Sequence, residues 1–141
     1  MVINWRTGIG ASSMSELRSS YDGVVRQTVL IVDDHAIFRA SARALLESAG
    51  FVVVAEAATG AEALEAAAAA RPEIVLLDIQ LPDIDGLIVA ERLAATTHPP
   101  KVVLISSRDA ESYGPRLSQG RSCGFISKGA LSGEAITSIV G

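Results

Sequence analysis

The chain has 141 residues, a net charge of −4 and a single cysteine, Cys123. That length allows one domain with a sizeable core, and a hydrophobic share of 49% argues against overall disorder. Without a dense Lys/Arg block there is no electrostatic footprint for direct nucleic-acid binding. One cysteine excludes an internal disulfide or a zinc cluster and reads as a small core residue in a reducing compartment. Aromatic residues make up only 4%, so the core must be built from Val, Ile, Leu and Ala. No apolar run approaches the roughly 18 residues needed to span a bilayer. The N-terminus also lacks the apolar stretch of a signal peptide, so a cytoplasmic protein is expected.

In chain order, residues 1–27 show no sustained period and read as a flexible N-terminal extension, with the domain proper at 28–141. Gly8-Ile9-Gly10 lacks both a preceding strand and a third glycine, so it is not a dinucleotide loop. Thr28–Val32 reads as a buried strand ending on Asp33 and Asp34. A helix follows from His35 to Ala49, closed by Gly50. Phe51–Ala55 is a second strand. Thr59-Gly60-Ala61-Glu62 is a capping box opening an alanine-rich helix that Arg71-Pro72 stops. Ile74–Leu77 is an unbroken apolar run into Asp78, as expected of a strand buried on both faces.

A third helix runs from Gly86 to about Ala95, and Val102–Ile105 is a fourth strand ending on Ser106. Gly114-Pro115 interrupts the next helix, leaving short pieces around 110–113 and 115–119. Gly124–Ile126 is the fifth strand, ending near Lys128, and Ser132 caps a last helix to about Val140. Five alternations of strand and helix predict a doubly wound α/β fold: a five-stranded parallel sheet covered on both faces, with an irregular fourth helix.

In such sheets chemistry gathers at the carboxyl ends of the strands. Asp33, Asp34, Asp78, Ser106 and Lys128 should therefore meet on one edge. Three close carboxylates repel one another unless a cation sits among them. A hard divalent cation with oxygen ligands answers that need, and Mg²⁺ favours a few carboxylates plus phosphate oxygens. A carboxylate nucleophile, a lysine and a hydroxyl are the parts needed to hold a phosphoryl group during transfer. His35 reads as an exposed helix-start residue and His98 as a loop residue. Asp83 and Asp85 fail calcium-loop spacing and read as loop and helix-cap residues.

From Thr28 onward the chain resembles a response-regulator receiver domain of two-component signalling, of the type that often precedes a helix-turn-helix output domain. The resemblance rests on Val32-Asp33-Asp34-His35, on Leu77-Asp78-Ile79-Gln80-Leu81-Pro82-Asp83-Ile84-Asp85-Gly86, on Ile105-Ser106-Ser107 and on Gly124-Phe125-Ile126-Ser127-Lys128. It implies a flavodoxin-like (βα)5 receiver fold and a phosphoacceptor switch rather than an enzyme. Asp78 would accept a phosphoryl group from a histidine kinase or phosphotransfer protein. Asp34, Asp78 and the backbone carbonyl of Gln80 would ligate Mg²⁺, with help from Asp33. Ser106 and Lys128 would hold the phosphoryl group, and Ser106 and Phe125 would form the switch. Gln80 and Arg108 would tune dephosphorylation.

The output expected is binding of an unknown downstream protein, with no direct contact to nucleic acid or membrane. Two alternatives are a pseudo-receiver that binds without phosphorylation and the receiver fragment of a DNA-binding transcriptional regulator. A pseudo-receiver should lose an acidic or lysine position, and this chain keeps them all. A phosphoaspartyl hydrolase needs a second carboxylate where Gln80 stands. The family commonly has proline after the lysine, often with a cis bond before it; here the residue is Gly129.

Overall fold

A computed structural model describes residues 1–5 and 26–141. Its strands are β1 (Val2–Asn4), β2 (Thr28–Val32), β3 (Val52–Ala57), β4 (Ile74–Asp78), β5 (Lys101–Ser106) and β6 (Gly124–Ser127). Its helices are α1 (Ala36–Ser48), α2 (Gly60–Ala70), α3 (Gly86–Ala94), α4 (Arg116–Gln119) and α5 (Gly133–Val140). Short 3₁₀ turns occupy Ala110–Ser112 and Lys128–Ala130.

The strands form one sheet in the order β1-β6-β5-β4-β2-β3. Neighbours from β6 to β3 are parallel, and β1 joins β6 antiparallel. Among the described residues the sheet thus has six strands rather than the five expected. Residues 2–4, read from the sequence as part of an extension, supply the sixth; residues 6–25 of that extension lie outside the described residues. Three residues are too few to show the alternation that marks a strand, and β1 is held by pairing with β6 rather than by its own pattern.

Alternation along the strands sends side chains to two cores. Val29 and Ile31 join Ala42 and Leu46 of α1 and Ile136 and Ile139 of α5 on one face. Leu30 and Val32 join Ala63 of α2, Val89 and Leu93 of α3 and Leu117 of α4 on the other. Every residue of β4 is buried, which is why its apolar run does not alternate. Leu76 is fully buried at its centre, and its truncation to Ala would cost about 2–5 kcal/mol.

The caps follow the sequence closely. Thr59 Oγ1 accepts the Glu62 N–H at 3.1 Å, and the Glu62 carboxylate reaches back to the Ala58 N–H at 3.0 Å. Ser132 Oγ accepts the Ala135 N–H at 3.0 Å. Gly50 lies at φ +96°, the left-handed conformation that ends a helix with least strain. The interrupted fourth helix is present as expected: Gly114 at φ +61° and Pro115 leave only the single turn of α4.

Candidate phosphoacceptor site

β4 lies between β2 and β5, and β2 turns outward to β3 while the chain returns through β4 to β5 and β6. The reversal between β2 and β4 opens a crevice at their carboxyl ends. The register puts Val32 beside Leu77, Asp78 beside Ile105 and Ser106 beside Ser127. Asp33, Asp34, Asp78, Ser106 and Lys128 therefore arrive at one edge, each as the last residue of a strand or within two residues beyond it.

Asp33 is wholly buried and Asp78 is 2% exposed. The Lys128 ammonium lies 2.6 Å from Asp33 Oδ2 and 3.2 Å from Asp78 Oδ2. Its ion pair is what faces Asp33 Oδ2, which has no hydrogen-bond partner among the described residues. Asp33 Oδ1 accepts the His35 N–H at 2.8 Å, and Asp78 Oδ1 accepts the Gln80 N–H at 3.0 Å. Burial pushes the Asp78 carboxyl above its ordinary range and the Asp33 charge adds to this, against the Gln80 N–H and the Lys128 ammonium. Burial pulls the Lys128 ammonium down, but bonds and charge from Asp33 and Asp78 outweigh it and leave the group raised.

Asp33, Asp34, His35 and Asp78 each offer a ligand atom, all within 4.8 Å of one another. Three carboxylates fit a hard divalent cation. The imidazole is the added feature. His35 caps α1 from an exposed position, as expected, yet its Nδ1 lies 3.1 Å from Asp33 and 3.2 Å from Asp34.

Ser106 is buried. Its hydroxyl accepts the Arg108 N–H at 3.0 Å and shares a 2.6 Å hydrogen bond with the Tyr113 hydroxyl. Phe125 is wholly buried against the α2–α3–α4 core. Gln80 and Arg108 are exposed at the rim. No cis peptide occurs among the described residues, and Lys128-Gly129-Ala130 forms a 3₁₀ turn where the family commonly has proline.

Some contributors were not singled out from sequence. Arg39 donates to the Asp33 carbonyl at 2.6 Å and is held by Glu56 at 3.2 Å, and Arg43 also binds Glu56 at 2.8 Å. The Arg43 bond, with Arg39 beside it, keeps the Glu56 carboxyl below its usual range against a partial desolvation. The Phe38 ring lies under the Lys128 ammonium, 4.6 Å from its centroid. Positions 38 and 39 fall one helical turn beyond Asp34 and His35, a spacing that marks them as neighbours of the site.

The loop after Asp78 is tied down by its own acids. Asp83 accepts the N–H groups of Gly60 and Ala61 at 2.7 and 3.0 Å, capping α2 across the loop. Asp85 caps α3 through the Leu87 N–H at 2.8 Å and pairs with Arg116 at 2.6 Å. Gly86 is required by close approach: a Cβ there would strike the Asp78 carbonyl and come 2.6 Å from the Ile79 Cα.

Residues 29–140 match the family model of the response regulator receiver domain. The chain belongs to the response-regulator receiver family. A transcriptional regulator of Pseudomonas aeruginosa is 43% identical over 100 residues, which are 71% of this chain and 48% of that protein. The response regulator UvrY of Escherichia coli is 33% identical over 112 residues, 79% of this chain and 51% of that protein. The signal receiver domain of the response regulator NarL from Mycobacterium tuberculosis superposes with a TM-score of 0.72 at 34% identity, covering 82% of this chain and 94% of that one. The chain thus spans about half the length of the curated relatives it matches. Receiver domains are signalling switches, and the fold here is that of the family. Among the described residues no helix is long and apolar enough to cross a membrane.

Proposed function

We propose that Asp78 is the phosphoacceptor of a two-component switch, phosphorylated by a histidine kinase or phosphotransfer protein, and that the modified chain changes its binding to a downstream protein. The observation that carries this reading is the Asp78 carboxylate at the end of the central strand, 3.2 Å from the Lys128 ammonium and clustered with the carboxylates of Asp33 and Asp34.

In the transfer, an Asp78 oxygen attacks the phosphorus of a phosphohistidine. The new O–P bond forms as the P–N bond breaks, and the imidazole leaves with the electron pair and takes up a proton. The Gln80 N–H orients the carboxylate. The Lys128 ammonium, already placed between two carboxylates, offers its charge to the incoming phosphoryl oxygens. Asp33, Asp34, Asp78 and the Gln80 carbonyl would hold Mg²⁺, which supplies charge neutralisation for the phosphoryl group when bound. After transfer the Ser106 hydroxyl turns to a phosphoryl oxygen and Phe125 repacks, shifting the population between two arrangements of β5 and β6. Gln80 and Arg108, at the exposed rim, set the access of water to the acyl phosphate.

The experiment is intact-protein mass after incubation with Mg²⁺ and acetyl phosphate, for wild type and Asp78→Asn. A labile phosphoryl adduct on wild type alone is expected. An equal adduct on Asp78→Asn would refute the assignment. A second reading, in which this receiver is one part of a DNA-binding transcriptional regulator, is favoured by the longer relatives, one of which is named a transcriptional regulator.

A further inference from the structure

Edge strands carry unpaired N–H and C=O groups and are natural acceptors for another strand. In the five-stranded parallel part of this sheet β6 is one edge, and β1 fills it. Val2, Ile3 and Asn4 lie opposite Ile126, Phe125 and Gly124, and the Ser127 N–H donates to the Met1 carbonyl at 2.9 Å. Two side chains fasten the strand on either side. Asn4 Nδ2 donates to the Ser138 carbonyl of α5 at 2.7 Å, and Trp5 Nε1 donates to the Ser122 carbonyl, just beyond α4, at 2.7 Å. Ile3 and Trp5 pack on the same core as Phe125, Leu117 and Tyr113. Gly124 is shaped for this neighbour, since a Cβ there would strike the Ile3 carbonyl and crowd Ile139 at 2.9 Å.

We propose that Val2–Trp5 is a displaceable cover over the β6 edge, seated across the seam between α4 and α5 and released when Asp78 is phosphorylated. The release rests on the phosphoacceptor reading; the cover does not. Its seat is built from the strand that leads into Lys128. Ile3 rests directly opposite Phe125, and Ser127, bonded to Met1, is the register partner of Ser106. A repacking of Ser106 and Phe125 therefore alters the surface under the cover. Three paired residues, the Met1–Ser127 bonds, the bonds from Asn4 and Trp5 and the packing of Ile3 and Trp5 make up the seat, and edge and terminal segments are among those that open at the lowest free-energy cost. The cover can therefore leave its seat and return.

Trp5 is the only tryptophan in the chain, so its fluorescence reports the seat directly. The first comparison is wild type against Ile3→Asp, which puts a charge opposite Phe125 without touching the phosphoacceptor residues. Asn4→Ala serves as a milder variant that keeps the apolar contact. Ile3→Asp should move Trp5 emission to longer wavelength and raise its acrylamide quenching at least twofold, with Asn4→Ala between. Wild type and Ile3→Asp indistinguishable would overturn the cover. The second comparison follows Trp5 and intact mass in one sample given Mg²⁺ and acetyl phosphate. Wild-type emission should move toward the Ile3→Asp value as adduct accumulates, while Asp78→Asn stays unchanged. Adduct with unmoved Trp5 would overturn the coupled release and leave the phosphoacceptor reading standing. Absence of adduct would remove both, while the first comparison would still decide the cover.

Discussion

Ser106 Oγ and Tyr113 OH lie 2.6 Å apart, joining the end of β5 to the irregular segment that leads into α4. The serine expected to receive the phosphoryl oxygen is thus already engaged. Its bond to Tyr113 must open before the hydroxyl can turn toward Asp78. A hydrogen bond of this kind contributes about 1 kcal/mol. Tyr113→Phe should therefore shift the equilibrium toward the phosphorylated arrangement about fivefold, by the relation of 1.36 kcal/mol to a factor of ten. The check is the response of chemical shifts at Ser106 and Phe125 to acetyl phosphate, together with a double-mutant cycle with Ser106→Ala. Zero coupling between the two positions would show that the bond carries no weight.

Lys128 is the ammonium between two buried carboxylates, and its removal leaves the buried Asp33 side chain without that partner. Breaking a buried pair from one side costs about 3–5 kcal/mol, and Lys128→Ala should lose stability on that scale in urea unfolding without Mg²⁺. Added Mg²⁺ should restore part of the loss, because a cation that binds only the folded state stabilises it by mass action. Arg39→Ala should cost less than Lys128→Ala, since its guanidinium bonds the Asp33 carbonyl rather than the carboxylate.

The Asp78 carboxyl is held above its ordinary range chiefly by burial. A carboxyl raised on folding favours the folded state while it is protonated, and that contribution disappears as pH rises through its folded value. Asp78→Asn, which cannot ionise, should thus be more stable than wild type at neutral pH and melt at a higher temperature. The difference should shrink as pH falls toward the ordinary carboxylate range. Thermal melts of both proteins from pH 7 downward check the sign. A wild type that is the more stable at pH 7 would contradict it.

Asp83 runs the other way. Bonds from the Gly60 and Ala61 N–H groups hold its carboxyl below the usual range. Its contribution is present above the unfolded value and is lost as pH falls through the folded one. Asp83→Ala should lower the melting temperature at neutral pH, and the two proteins should converge in acid. Because Asp83 links the loop after Asp78 to α2, hydrogen exchange of the Gly60 and Ala61 amides should also accelerate in the variant. Unchanged exchange would show that the cap is not formed in solution.

The parallel sheet and its site were legible because their signals are local. β2 is an apolar run that leads into Asp33, β4 and β5 are apolar runs that end in Asp78 and Ser106, and parallel topology alone gathers those ends. The interrupted fourth helix was legible too, since Gly114-Pro115 leaves no room for a longer one. The sixth strand was not, because Val-Ile-Asn carries no period and its partners lie 120 to 124 residues away in Gly124–Ile126. Its trace in the sequence is Gly124 itself, where only a missing side chain admits the Ile3 carbonyl. Tyr113 and the Arg39–Glu56 pair escaped notice for a related reason: each meets the site through an orientation that spacing along the chain does not determine.

Under the proposed function Asp78 carries the phosphoryl group, and reductive trapping reads this out at the residue itself. Borohydride reduces an acyl phosphate to the alcohol with loss of phosphate, leaving homoserine where the modified aspartate stood. Peptide mass mapping after Mg²⁺ and acetyl phosphate should therefore find homoserine at position 78 in wild type and nowhere in Asp78→Asn. Homoserine at Asp33 or Asp34 instead, or a phosphorylated chain with position 78 unchanged, would contradict the account.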